Sequence, residues 1–126
     1  MAQEIPISPA CVEVRVRRGT DTVLDFVLTD GAGRAINITI DDVVFTLKDS
    51  IDGVVLDQQT SSAGAHYDAI GGRVVFELPR TLIDDEAEPE CDTFWVYEVR
   101  RIVGGGAGPQ HVHIQGEFII QPAVGV

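Results

Sequence analysis

Positive charge is scarce in this chain. Nine Lys and Arg stand against 20 Asp and Glu in 126 residues, for a formal net charge of −11. A surface that grips DNA or RNA needs clustered Lys and Arg to neutralise phosphates, so nucleic acid is excluded as a partner. The acid excess is spread over both halves, −5 in residues 1–63 and −6 in residues 64–126, which reads as whole-surface solubility and self-repulsion. No apolar run approaches the ~18 residues that span a bilayer. The opening MAQEIPISPA has no basic residue ahead of an apolar stretch and is not a secretory signal. A soluble chain made in the cytosol and free of membrane contact is expected. Cysteine is limited to Cys11 and Cys91, with no CxxC spacing, so two thiols are expected rather than a metal knot or a disulfide framework. Helical periodicity is also missing: almost no segment repeats its apolar residues at 3.6.

Period-2 alternation fills the space instead, and an all-β chain follows. Cys11–Arg18 sets Val12, Val14 and Val16 on one face and charged residues on the other. After the turn signal Gly19-Thr20-Asp21, residues 22–29 point Leu24, Phe26 and Leu28 inward, and these two segments could pair as a hairpin. Residues 34–41 carry Ile36, Ile38 and Ile40 and could be a short strand or an ordered loop crossing between sheets. Val43, Phe45 and Leu47 line one face of the next strand, and residues 54–58 form a shorter strand near an edge. Residues 59–72 are the longest polar connection, tethered by Tyr67 and Ile70. Val74, Phe76 and Leu78 then point inward ahead of Pro79, which closes that strand. Residues 81–92 are either a loop or one short helical turn.

The remaining strands carry most of the aromatic weight. Residues 93–103 place Trp95, Tyr97 and Val99 opposite Phe94, Val96, Glu98 and Arg100, in a long strand expected at the centre of a sheet. GGGAGP at 104–109 reads as a mobile loop tip. The last strand, 111–121, directs Val112, Ile114, Phe118 and Ile120 inward and His111, His113, Gln115, Glu117 and Gln121 outward, with Gly116 marking a bulge or a close backbone approach. The sum is an antiparallel immunoglobulin-like β-sandwich of about seven strands spanning 11–126, preceded by an extended N-terminal arm at 1–10; a small barrel is the competing architecture.

Chemistry finds little footing. Ser50, Ser61 and Ser62 have no nucleophile elbow, and the glycine run precedes a strand where a phosphate loop would open a helix. The acids Asp84, Asp85, Glu86, Glu88, Glu90 and Asp92 lack calcium-loop spacing, and Pro89 interrupts them, so a solvated loop is expected. His111 and His113 are weak metal candidates, two imidazoles on one strand face that a symmetric assembly could multiply. Trp95 and Tyr97 could form a sugar-stacking platform, although aromatics on a central strand usually fill a core. No enzyme and no cofactor are expected. The candidate interaction residues are His111, His113, Gln115 and Glu117 on the last strand and Pro6 and Pro9 in the N-terminal arm.

The order of short signatures adds a further reading. Arg18-Gly19-Thr20-Asp21 opens a strand ending in Leu28-Thr29-Asp30; Gly33-Arg34-Ala35-Ile36-Asn37-Ile38-Thr39 and Val44-Phe45-Thr46-Leu47-Lys48-Asp49 follow. Gly72-Arg73-Val74-Val75-Phe76-Glu77-Leu78-Pro79, Phe94-Trp95-Val96-Tyr97-Glu98-Val99 and Gln115-Gly116-Glu117-Phe118-Ile119-Ile120-Gln121-Pro122 complete it. Over residues 10–124 this resembles the immunoglobulin-like module of tailed-bacteriophage virion proteins, including the N-terminal domain of phage baseplate upper proteins. The triple-glycine tip and the acidic segment have no counterpart in that pattern. The resemblance implies a non-enzymatic structural protein of the virion, assembled in the host cytoplasm, present in several copies or as a homo-oligomer, with other phage structural proteins as partners. Tail, baseplate and capsid surface all remain open as its position. A carbohydrate-binding or host-adhesion module using Trp95, Tyr97 or the 59–72 loop is the alternative.

Overall fold

The alternation of the sequence becomes two facing sheets. The computed structural model describes residues 10–87 and 89–122. Eight strands and one helix follow in order among the described residues: β1 (Ala10–Cys11), β2 (Val14–Arg17), β3 (Thr22–Val27), β4 (Asp42–Lys48), β5 (Val55–Ser61), β6 (Arg73–Leu78), α1 (Arg80–Glu86), β7 (Thr93–Ile102) and β8 (Gln110–Gln121). One sheet runs β1-β8-β7-β4-β5, with β2 also on β8; the other consists of β3 and β6. The chain is an all-β sandwich.

Each strand buries the face its apolar residues chose. Val43, Phe45 and Leu47 of β4 and Val74 of β6 are fully buried, and Leu24, Phe26, Phe76 and Leu78 close over them from the smaller sheet. Phe26 lies 6.2 Å from Tyr97 and Phe45 lies 5.5 Å from Phe76, ring centre to ring centre, so aromatic contacts tie both sheets into one core. Pro79 lacks an N–H, ends the β6 ladder and is followed by α1, whose Ile83 is buried at the end of the sandwich. The sequence left residues 81–92 open between loop and helical turn; a seven-residue helix occupies the first part.

The first strand segment departs from expectation. No hairpin joins it to β3. It splits into β1 and β2, both hydrogen-bonded in parallel to β8, while β3 pairs antiparallel with β6 in the opposite sheet. Between them the chain crosses sheets at Gly19, whose φ of 86° suits glycine. Val12, at the split, is exposed where burial was expected.

Three connections show how the loops are held, and residues 34–41 take the ordered-loop alternative. Ile36 and Ile38 are buried but Ile40 is exposed, since residues 34–41 form an ordered crossing loop held by the Thr29–Ala35 bridge and the Ile36 N–H to Leu28 carbonyl bond. Tyr67 and Ile70 are exposed and do not anchor their loop in the core; Tyr67 instead lies under the Arg73 guanidinium, 4.3 Å from ring centre to Cζ. The glycine tip is hydrogen-bonded to two carboxylates. Gly104, Gly105 and Gly106 all have positive φ, and the Gly104 and Gly106 N–H groups donate to Asp41 Oδ1 at 2.8 Å and Asp42 Oδ2 at 3.2 Å.

Candidate interaction surface

The broad sheet has an inner face given to the core and an outer face given to solvent. Residues directly opposite in neighbouring strands share a face, so the outer face can be read from the register. Thr46 of β4 stands beside Glu98 of β7 and then Gln115 of β8; one row on, Lys48 stands beside Val96 and then Glu117. On the far side of β8, Cys11 lies opposite Gln115 and Arg15 opposite Ile119. Cys11, Thr46, Lys48, Val96, Glu98, Gln115 and Glu117, together with Ile51 between β4 and β5, border a shallow trough of about 510 Å³.

The trough has a largely apolar lining bordered by charged groups. Arg100 contacts Glu98 at 3.0 Å and donates to Gln110 Oε1 at 2.9 Å. Arg15 pairs with Glu13 at 2.7 Å, and that hydrogen bond, aided by the acids around it, raises the guanidinium further above its already high pKa. Phe94 is 59 % exposed and Ile51 78 % exposed at the margins. The thiols of Cys11 and Cys91 are both free and exposed.

Of the residues expected to make contacts, Gln115 and Glu117 lie on this face and are exposed. His111 is exposed at the start of β8, but His113 is buried, at 5 % exposure. The expected common outward face of the two histidines is therefore not formed. The reason is a register shift: Ile114 pairs with Val99 and Val112 with Arg100, so His113 is passed over in the ladder and the alternation is broken there. His113 instead lies in the wall of a second groove of about 590 Å³, between Ala10 and Val12 on one side and residues 27–33 on the other. Pro6 and Pro9 fall outside the described residues. Among the described residues no group of three or more His, Cys, Asp or Glu side chains is placed to hold a metal ion. In the acidic segment, Asp84 accepts hydrogen bonds from Gly19 N–H at 3.0 Å and, through its carbonyl, from Arg18, which fastens α1 to the sheet-crossing turn.

Trp95 and Tyr97 are core residues, 4 % and 3 % exposed, so no aromatic platform faces solvent at these positions. The sequence reading missed a polar cluster at the other end of the sandwich. Arg101 and Asp41, 2 % and 4 % exposed in their side chains, form an ion pair at 3.4 Å. His66 Nε2 lies 2.8 Å from the Asp41 carbonyl and its Nδ1 2.9 Å from Ser61 Oγ. Arg101 continues the inward parity of Trp95, Tyr97 and Val99, a signal visible in the sequence. No helix is long and apolar enough to cross a membrane among the described residues.

Among solved structures, the fold is similar to that of the N-terminal domain of phage TP901-1 ORF48. The match covers 94 % of this chain and 93 % of that one, with a TM-score of 0.53 and 12 % identity. Almost the whole of each chain takes part. The resemblance to a phage module read from the order of the sequence signatures thus holds at the level of the fold. No protein-family model matches the chain, and no curated protein matches it.

Proposed function

We propose that this protein is a non-enzymatic structural component of a bacteriophage virion, working through protein–protein contacts in a multi-copy assembly. The observation that carries the reading is the end-to-end similarity of fold to a phage protein domain, 94 % of one chain against 93 % of the other. The features of the surface agree with it. The outer face of the broad sheet offers an open trough lined by both charge signs, and His111, Gln115 and Glu117 lie on the strand that borders it. The N-terminal arm, with Pro6 and Pro9, is a second contact element, and other phage structural proteins are the partners. Its position is the tail, the baseplate or the capsid surface.

Mass spectrometry of purified virions, followed by microscopy with a label on this chain, tests the proposal. Recovery at a fixed stoichiometry in intact particles is the expected result. Absence from virions of a phage that expresses the protein during infection overturns it.

A further inference from the structure

We propose that the outer face of the β1-β8-β7-β4-β5 sheet is where a second copy of this chain docks, about a two-fold axis that runs along β7 through Val96. The inference deepens the multi-copy reading and rests on it only for the expectation that copies meet; the geometry is independent.

The row Lys48–Val96–Glu117 carries the argument. Lys48 pairs with Val96 across β4 and β7, and Val96 pairs with Glu117 across β7 and β8. The three side chains therefore stand on one face in a line: a cation, an apolar residue and an anion. Neighbouring strands are ~4.8 Å apart, which sets the Lys48 and Glu117 backbones roughly 10 Å apart on either side of Val96. No ion pair joins Lys48 or Glu117 to another described residue. A two-fold axis along β7, lying between two facing sheets, exchanges left and right. It brings Lys48 of each copy over Glu117 of the other and sets Val96 on Val96, an isologous contact that closes on itself.

In the neighbouring row the axis sets Glu98 on the other copy's Glu98, a repulsion that each chain's own Glu98–Arg100 pair reduces. Thr46, Glu98 and Gln115 line up there, and Glu98, which falls on the axis, is already paired with Arg100 of its own chain. Charge selects the same face. A chain of net charge −11 repels its copies over most of its surface. On this face Arg15, Arg17, Lys48 and Arg100 stand beside Asp42, Glu98 and Glu117, with Glu13 paired to Arg15, so its charges nearly balance. Exposed Phe94 and Ile51 add apolar area at its margins. Five strand positions by about seven residues give roughly 19 by 23 Å, on the order of 900 Å² buried in total, the size class of weak, concentration-dependent association.

Sedimentation equilibrium on the purified full chain tests the proposal, with Lys48→Glu, Glu117→Lys and the double exchange as variants and circular dichroism as the check on folding. A reversible dimer is expected. Each single reversal weakens it by about tenfold or more, and the double exchange restores it to within about threefold. A Val96→Cys variant, with Cys11 and Cys91 changed to Ser, is expected to be joined to its copy by a short bis-maleimide crosslinker that reaches across the ~10 Å between packed sheets. A chain that stays monomeric up to about 1 mM overturns the proposal, as does a dimer indifferent to both reversals or one the double exchange fails to restore. If the dimer obeys the exchange while virions lack the protein, the virion reading falls and this contact stands. If virions contain the protein and the chain stays monomeric, the outcome is reversed.

Discussion

The Tyr97 hydroxyl donates a hydrogen bond of 2.6 Å to the carbonyl of Val12. That carbonyl lies over Gly116: a Cβ built on Gly116 would be 2.2 Å from Val12 O. The absent side chain on β8 thus opens the approach that lets the first strand cross, split into β1 and β2, and receive a hydroxyl from the core. A close backbone approach was one of the two readings of Gly116 in the sequence, and it is the correct one.

Gly116→Ala should force β1 off β8. The clash is with backbone, which cannot rotate away, so the cost expected is that of overpacking, about 1–3 kcal/mol. Chemical denaturation would measure it. Native-state hydrogen exchange adds the local test, because the Val12 N–H, which donates to the Gln115 carbonyl at 2.9 Å, should lose protection before the β4 and β7 amides do.

Tyr97 also makes stability depend on alkaline pH. Burial, with the Cys11 thiol nearby, pushes its hydroxyl up to about 12 from an ordinary value near 10. The folded state holds its proton more tightly than the unfolded state, so the contribution is fully present below pH 10 and is lost as pH rises through 12. The expected loss is on the order of 2–3 kcal/mol across that window. Tyr97→Phe should flatten this part of the pH–stability curve while costing about 1 kcal/mol at neutral pH for the lost hydrogen bond. An unchanged slope in the variant would show that another group titrates there.

How far the sequence reaches is set by what alternation can express. Val43, Phe45 and Leu47, or Val74, Phe76 and Leu78, declare their buried face within one strand, and all six are buried. Alternation does not say which neighbour a strand takes. Cys11–Arg18 and Thr22–Thr29 follow each other across a short turn, the usual sign of a hairpin, yet the broad sheet claims one and the narrow sheet the other. A skipped residue defeats parity as well, which is why His113 turns inward while His111 stays exposed. The Lys48–Val96–Glu117 row lies deeper still, since it exists only through the registers of three strands far apart in the chain.

Trp95→Ala separates a core role from a binding role. The indole is 4 % exposed and stacks on Phe118 with ring centres 6.4 Å apart. Truncation should cost about 3–5 kcal/mol, as large aromatic deletions in cores do, and lower the thermal midpoint. A folded variant of unchanged stability that had lost glycan binding would instead place Trp95 at a sugar site.

The Arg101–Asp41 pair should be the most expensive charge to break. Both side chains are almost fully buried, and Asp41 also holds the glycine tip through the Gly104 N–H at 2.8 Å. Exchanging the carboxylate for an amide in Asp41→Asn removes the negative charge that lies 3.4 Å from the Arg101 guanidinium in a place water hardly reaches, at an expected cost of about 3 kcal/mol. Arg101→Met should cost less, because Asp41 keeps the Gly104 N–H and Met fills most of the volume that Arg vacates. The double variant Asp41→Asn with Arg101→Met removes both charges and should recover part of the single-carboxylate loss, since a buried pair replaced by neutral groups of similar volume loses little. Urea denaturation of the three variants would read this ordering. A double variant less stable than the sum of Asp41→Asn and Arg101→Met would reverse the argument, showing that the geometry of the cluster, with His66 on the Asp41 carbonyl, outweighs the cost of its charges.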